Sequence, residues 1–281
     1  MSRNNFYDLL ENKEISIPVE FLRIYSLFYR ERNIRVFSDI YSINGFIEHY
    51  YRKLKPELIK RTTTLNDFNQ SYGFNFQYYK EEDVRRLNID DFILFSEYIY
   101  NLTLAAIDVY FDISEKEIHC CGIEQMITVT NNILSYIEDL GYMPVNLKDI
   151  LIFVKKAPQT IAVSKIVEEK LSLKICEYNH FKMQGNLMGK LFILKLMADD
   201  IEPQLKTLKS INSGLESHLS QMLNKFVRHN NTDNEYIKSL TDKEIEQWYD
   251  DIYQMWLLAK LEIENVERTK KVRKVLGMIN K

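Results

Sequence analysis

The sequence predicts an all-α fold, mainly a helical bundle, with one small β-hairpin around residues 147–167. Three observations predict it. Glycine and proline number only 8 and 5, or 13 of 281 residues, where average usage is roughly 12%. Turns, bulges and phosphate-cradling loops draw on these two residues, so their scarcity argues against all-β folds and Gly-rich nucleotide sites. Apolar residues recur at helical spacing through most of the chain, most regularly after Leu187. Two segments, Ser114–Glu117 and Thr241–Glu244, read as capping boxes that open helices.

In chain order, Phe21, Leu22, Tyr25 and Phe28 place a helix within 19–29, and Ile43, Phe46, Ile47, Tyr50 and Tyr51 place a second over 42–54. Residues 62–79, rich in Thr, Asn and Gln and without a clear period, read as a linker. A boundary near residue 85 then separates an aromatic, Arg-rich region (1–85) from a helical domain (86–281). Asp90 can cap the next helix, and Phe92–Tyr110 is apolar nearly all round, which predicts a central position. The Ser114 box opens a helix that stops at Gly141. Residues 149–154 read as a short strand and 160–169 as helix.

Beyond Leu187 the stripe Leu187, Leu191, Leu194, Ala198, Ile201 is interrupted by Pro203, a kink or restart. Leu215, Leu219, Met222, Leu223 and Phe226 form the next stripe, which ends in a polar turn over 228–234. The Thr241 box opens a long helix with Ile245, Trp248, Tyr249, Ile252, Trp256, Ala259 and Ile263 on one face.

Lys+Arg is 37 and Asp+Glu is 40, a net charge of −3, so no global basic field draws nucleic acid and any contact comes from a local patch. One basic cluster, Arg30, Arg32, Arg35, Arg52, Lys53, Lys55, Lys60 and Arg61, is interleaved with tyrosines that can stack single-stranded bases. Eight acids dilute the eleven bases of residues 1–61 to +3. A second, Arg268, Lys270, Lys271, Arg273 and Lys274, reads as a solvated helix end. The three cysteines, Cys120, Cys121 and Cys176, lack CxxC spacing and read as free thiols of a reducing cytoplasm, with no metal site. Arg3, Asp8 and Glu11 are unlike a signal peptide, and the longest uncharged stretch, Gln125–Ile137, is 13 residues, short of the about 20 that a span needs. The expectation is a cytoplasmic protein with no membrane partner. Walker, GxGxxG, HExxH and GxSxG motifs are absent, so no nucleotide cofactor is expected.

Chemistry is then confined to places where helices end. Phe226-Val-Arg-His-Asn-Asn231 sets a cation, an imidazole and two amides at one such end. An Arg fork holds phosphate bidentately, and a His moves protons near neutrality. The same residues also suit a plain helix C-terminus, where Arg and His complement the dipole and Asn favours the turn. A second cluster, Cys176-Glu-Tyr-Asn-His180, offers His180 as an acid–base group and Tyr178 as a phosphate donor. The alternative reading makes Tyr178 a half-buried core aromatic and His180 a solvated cap.

Through Arg228 and His229 at the junction of two core helices, residues 86–281 resemble the HEPN superfamily, helical bundles of prokaryotic toxins and abortive-infection proteins, including AbiJ-like ones. The resemblance implies a phage-defence or toxin-type protein and a metal-independent endoribonuclease that uses the ribose 2′-hydroxyl as nucleophile. It implies Arg228, His229 and His180 as catalytic residues, and Asn230, Asn231, Tyr178 and Glu97 as substrate-binding residues. Glu97, with Asp108 as second choice, would be the polar residue of the first core helix. RNA as substrate and a homodimer sharing one cleft are also implied. The chain departs from the family where a distal His belongs: Asp233 and Asn234 stand there. His229 has then taken over, or His180 supplies the imidazole, or the domain is inactive. The reading from another class is a non-catalytic helical module that binds protein or nucleic acid through the Tyr/Arg-rich N-terminal region.

Overall fold

The structure, a computed structural model, describes residues 16–59, 62–73, 76, 84–114, 120–147, 150–228 and 235–279. The fold is mainly α-helical, as the sequence predicts, with a paired strand hairpin and a further small sheet. Chain contacts divide it into two compact units, Met1–Phe153 and Val154–Lys281.

In the first unit, α1 (Ile17–Tyr25) continues into a π-helical turn (Ser26–Arg30), closed by the Glu31 N–H on the Ser26 carbonyl at 3.0 Å. Strands β1 (Ile34–Val36) and β2 (Asp39–Tyr41) follow, then α2 (Ile43–Tyr50), which Ser42 caps through the Gly45 N–H. Two short helices come next, α3 (Pro56–Ile59) and α4 (Leu65–Tyr72). The long α5 (Ile89–Ser114) is the spine of the unit. Strand β3 (Cys120–Cys121) pairs antiparallel with β1, Arg35 opposite Cys121, in the order β2-β1-β3. Helix α6 (Ile123–Asp139) and strands β4 (Tyr142–Leu147) and β5 (Ile150–Lys155) complete it.

Helix α5 is apolar on nearly every side because N-terminal elements cover it. Phe21 of α1 lies 4.1 Å from Phe95, ring to ring, and Phe46 of α2 lies 6.2 Å from Tyr110. The aromatic N-terminal region and α5 thus share one core, and the two compact units divide after Phe153. By length and composition α5 passes the test for a membrane span, with 72% of its most apolar window buried inside the protein.

Three local expectations are corrected, and the position of the hairpin is refined. Residues 65–72, expected as linker, form α4, capped by Thr64 on the Asp67 N–H at 3.1 Å, with Leu65 and Phe68 buried. Asn88, rather than Asp90, caps α5: Asn88 Oδ1 accepts from the Asp91 N–H at 2.9 Å, and Asp91 Oδ2 accepts from the Asn88 N–H at 3.2 Å. Ser114 ends α5 instead of opening the next helix, its hydroxyl donating to the Phe111 carbonyl at 3.1 Å, while α6 begins after Gly122. The hairpin lies at 142–155, upstream of the centre of the expected range, because Pro158 already starts a helix.

In the second unit, α7 (Pro158–Ser164) and α8 (Glu169–Glu177) lead through a 3₁₀ turn (Phe181–Met183) into α9 (Leu187–Ile201). Pro203 breaks the helix as expected, in a 3₁₀ turn before α10 (Leu205–Ile211). Asn212 caps α11 (Ser213–Met222) through the Leu215 N–H, and α11 passes into a π-helical turn, Leu223–Arg228. After α12 (Glu235–Ser239), the Thr241 box opens α13 (Asp242–Ile279), with Glu244 Oε2 accepting from the Thr241 N–H at 2.7 Å. Helices α9 and α13 run in the same direction: Lys190 meets Glu246 and Asp250, the Trp256 indole donates to the Met197 carbonyl at 2.8 Å, and Lys260 pairs with Asp200 at 3.0 Å. Trp256, Tyr253, Leu194, Met197, Ile201 and Leu219 form the buried centre between them.

Candidate functional site

The predicted site centres on Arg228, the last residue of the π-helical turn. His229, Asn230 and Asn231 lie outside the described residues. Arg228 Nη2 donates to the Ala198 carbonyl at 3.0 Å, and the guanidinium also pairs with the Glu202 carboxylate. The side chain is 28% exposed. Both partners belong to the end of α9, where Asp199, Asp200 and Glu202 bring three carboxylates to the negative pole of the helix. That arrangement is unfavourable without counter-charge. Arg228 and Lys260 supply it, Lys260 reaching Asp200 and, at 3.3 Å, the Gln204 amide oxygen. A groove of about 420 Å³ beside this helix end is lined by Glu168, Lys170, Asp199 and Asp200 among others, so acids outnumber bases on its wall. A phosphate approaching Arg228 therefore has to displace Glu202 and meets like charge nearby.

His180 stands elsewhere. It precedes α9, 7% exposed, its Nδ1 accepting from the Lys182 N–H at 3.2 Å and its ring 4.5 Å from that of Phe181. It caps the 3₁₀ turn, from a buried position where the alternative reading expects a solvated one. Ala198, where Arg228 binds, and Leu187, where α9 begins, are about 16 Å apart at 1.5 Å rise per residue. The structure thus places Arg228 and His180 at opposite ends of α9 and does not bring them together.

At the His180 end lies a polar cluster that the sequence reading missed, apart from Tyr178. Lys190, with its side chain 7% exposed, pairs with Asp250 at 2.6 Å and Glu246 at 2.8 Å. Tyr178 donates to Asp250 at 2.8 Å and lies under the Lys190 ammonium, which is 5.1 Å from its ring centre. Tyr178 also stacks on Tyr253, 4.1 Å away and near-parallel at 6°. Tyr253 in turn donates to the Ile175 carbonyl at 2.8 Å, and its hydroxyl meets Thr160 and Asn179. Glu246 takes a further bond from the Gly185 N–H at 2.7 Å. Bonding to Lys190 holds Glu246 below the usual carboxylate range. Burial, then the charge of Asp250, pushes the Tyr178 phenol far above its ordinary value, so it donates a hydrogen bond but does not release its proton near neutrality. A signal did exist: Lys190 interrupts an apolar helix, and a buried Lys requires a partner. Glu246 and Asp250, spaced i,i+4, are that partner.

Glu97 belongs to the first unit. It is buried, with Oε1 accepting from the Phe153 N–H at 2.7 Å. One turn on, Asn101 bonds both backbone groups of Leu151, donating to the carbonyl at 2.7 Å and accepting from the N–H at 2.8 Å. Two side chains of α5 thus act as an edge partner for β5, satisfying backbone groups that the hairpin leaves open. Asp108, the second choice, pairs with Lys55 at 2.8 Å on the surface. The tyrosines expected to stack bases are largely committed to the fold: Tyr25 and Tyr51 are buried, Arg30 sits 5.4 Å over the Tyr25 ring, and Lys53 sits 5.5 Å over Tyr50.

Comparison with protein-family models, curated proteins and solved structures finds no match.

Proposed function

We propose that the chain is a non-catalytic helical interaction module whose second unit presents the far part of α13 to a partner. One observation carries this reading. Full burial along α13 ends at Lys260 and Leu261 and Ile263 are the last apolar residues packed against the core, yet the helix continues to Ile279 with Val272, Val275, Leu276, Met278 and Ile279 at 50–71% exposure. Folding of the unit makes no use of those side chains, and a contiguous exposed apolar stripe is the signature of a binding face. The polar residues of the predicted catalytic site support the same reading, since Arg228, His180, Tyr178 and Glu97 each serve a helix end, a stacked pair or a strand edge.

A second reading, the HEPN-type endoribonuclease, is favoured by the place of Arg228, partly exposed and next to the 229–234 junction that leads to α12 and α13. There Arg228 would hold the scissile phosphate and His229 would transfer protons. One experiment separates the two: purified protein incubated with RNA in chelator, beside Arg228→Ala and His229→Ala. The module reading expects intact RNA in all three. Cleavage by the wild type that both substitutions abolish overturns it in favour of the nuclease.

A further inference from the structure

We infer that residues 268–279 of α13 form an amphipathic arm that docks on an anionic lipid surface. The inference rests on the interaction-module reading and names the partner of that same helix. It begins from the charge sequence. Residues 261–267 carry Glu262, Glu264 and Glu267 and no base, whereas 268–279 carry Arg268, Lys270, Lys271, Arg273 and Lys274 and no acid. At about 100° per residue, Val272, Val275, Leu276 and Ile279 fall within an arc of about 100° on one side of this helix, which Arg268 shares at the start of the segment. Lys270 and Lys274 point to the opposite side, and Lys271 and Arg273 flank the stripe. All four stripe residues are at least 50% exposed. Arg268 and Lys270 lean back toward Glu264 and Glu267, at 2.9 and 2.7 Å, across the charge boundary.

The chemistry selects among occupants. A second copy of the arm would set cationic flanks against cationic flanks beside the apolar seam, which is repulsive. A nucleic acid would match the cations but leave the aliphatic stripe in water. An anionic bilayer surface matches both, the stripe entering the headgroup–acyl boundary while the flanking Lys and Arg stems reach back to phosphate. Its apolar residues cover one side only, with Lys270 and Lys274 on the other, so it lies in the interface plane and not across the hydrocarbon core. This departs from the expectation of no membrane partner, which rests on the shortness of the longest uncharged stretch and does not bear on surface docking.

The test is vesicle flotation with the full chain, using phosphatidylcholine vesicles with and without phosphatidylglycerol, at low and high salt. The wild type should float only with the anionic vesicles and lose binding at high salt. Two variants address the two halves of the arm: Val272→Asp with Leu276→Asp, and Lys271→Glu with Lys274→Glu. Each should weaken binding by about tenfold or more, with thermal unfolding unchanged because the positions are exposed. Equal flotation with neutral vesicles, no flotation with anionic ones, or indifference to both variants overturns the proposal. A wild-type dimer dissociated by Val272→Asp with Leu276→Asp but indifferent to vesicles, or binding to RNA homopolymer without vesicle binding, also overturns it while leaving the interaction-module reading intact. Failure of that broader reading shows instead as RNA cleavage lost in Arg228→Ala and His229→Ala.

Discussion

Arg228 donates from Nη2 to the carbonyl of Ala198 at 3.0 Å, joining the end of one helix to the end of another thirty residues away. The bond sits among carboxylates that oppose the α9 dipole, so its chief effect is on stability. Replacing Arg228 with Ala should cost about 1–2 kcal/mol, moderated by partial exposure of the pair with Glu202. Urea unfolding of the two proteins measures it. An unchanged midpoint would mean that the guanidinium is held in reserve for another partner.

Lys190 is the hub of the other end of α9. Substituting Met keeps the stem over Tyr178 but leaves Glu246 and Asp250 without their cation. The expected loss is about 2–3 kcal/mol, below the usual cost of breaking a fully buried pair because Asp250 is half exposed. The pH dependence gives an independent check. Glu246 is held below the ordinary glutamate value of 4.5 in the folded protein, so its contribution is present above that value and is lost as pH falls through the folded one. Denaturant unfolding followed below pH 4.5 should show a slope for the wild type that Glu246→Gln flattens. Parallel slopes would show that Lys190 does not hold Glu246.

Tyr253 joins three elements through one oxygen: the Ile175 carbonyl of α8, Thr160 of α7, and Asn179 beyond α8. Tyr253→Phe removes that oxygen and leaves buried polar groups unmatched, at an expected cost of about 1–3 kcal/mol. A double-mutant cycle with Thr160→Val isolates the shared bond. Strictly additive effects would show that the two hydroxyls stand near each other without coupling.

What the sequence made legible follows from what each signal measures. Scarce glycine and proline fix the helical class, Pro203 marks the end of α9, and the Thr241 box marks the start of α13, since these act through the local backbone. Helix α4 shows no period in the sequence because, among its described side chains, only Leu65 and Phe68 are buried. Strands β1 and β2 have three residues each, too short to show alternation, and their pairing is set by contacts distant in the chain. The Ser114 box has the right residue types, but α5 still continues to Ser114. Arg228 was legible as a cation at a helix end. Its partners, Ala198 and Glu202, belong to a different helix and its adjoining turn, and no local pattern reveals which groups tertiary packing brings to a side chain.

Gly122 puts that distinction between local and distant causes to a test. It has a φ of 103°, a conformation that costs an L side chain strain, and it approaches the start of β1 so closely that a Cβ would stand 2.2 Å from the Asn33 carbonyl oxygen. Gly73 has a φ of 71° and open space where its Cβ would be. Gly73→Ala therefore reports conformational strain alone, about 1 kcal/mol. Gly122→Ala adds a clash with backbone that can be relieved only by moving β1 away from β3, for a total of about 3 kcal/mol or more. Thermal unfolding of both variants should place Gly122→Ala well below Gly73→Ala. Equal midpoints would mean that the β1–β3 pairing yields without cost, and that the approach of Gly122 to Asn33 does not hold the small sheet in place.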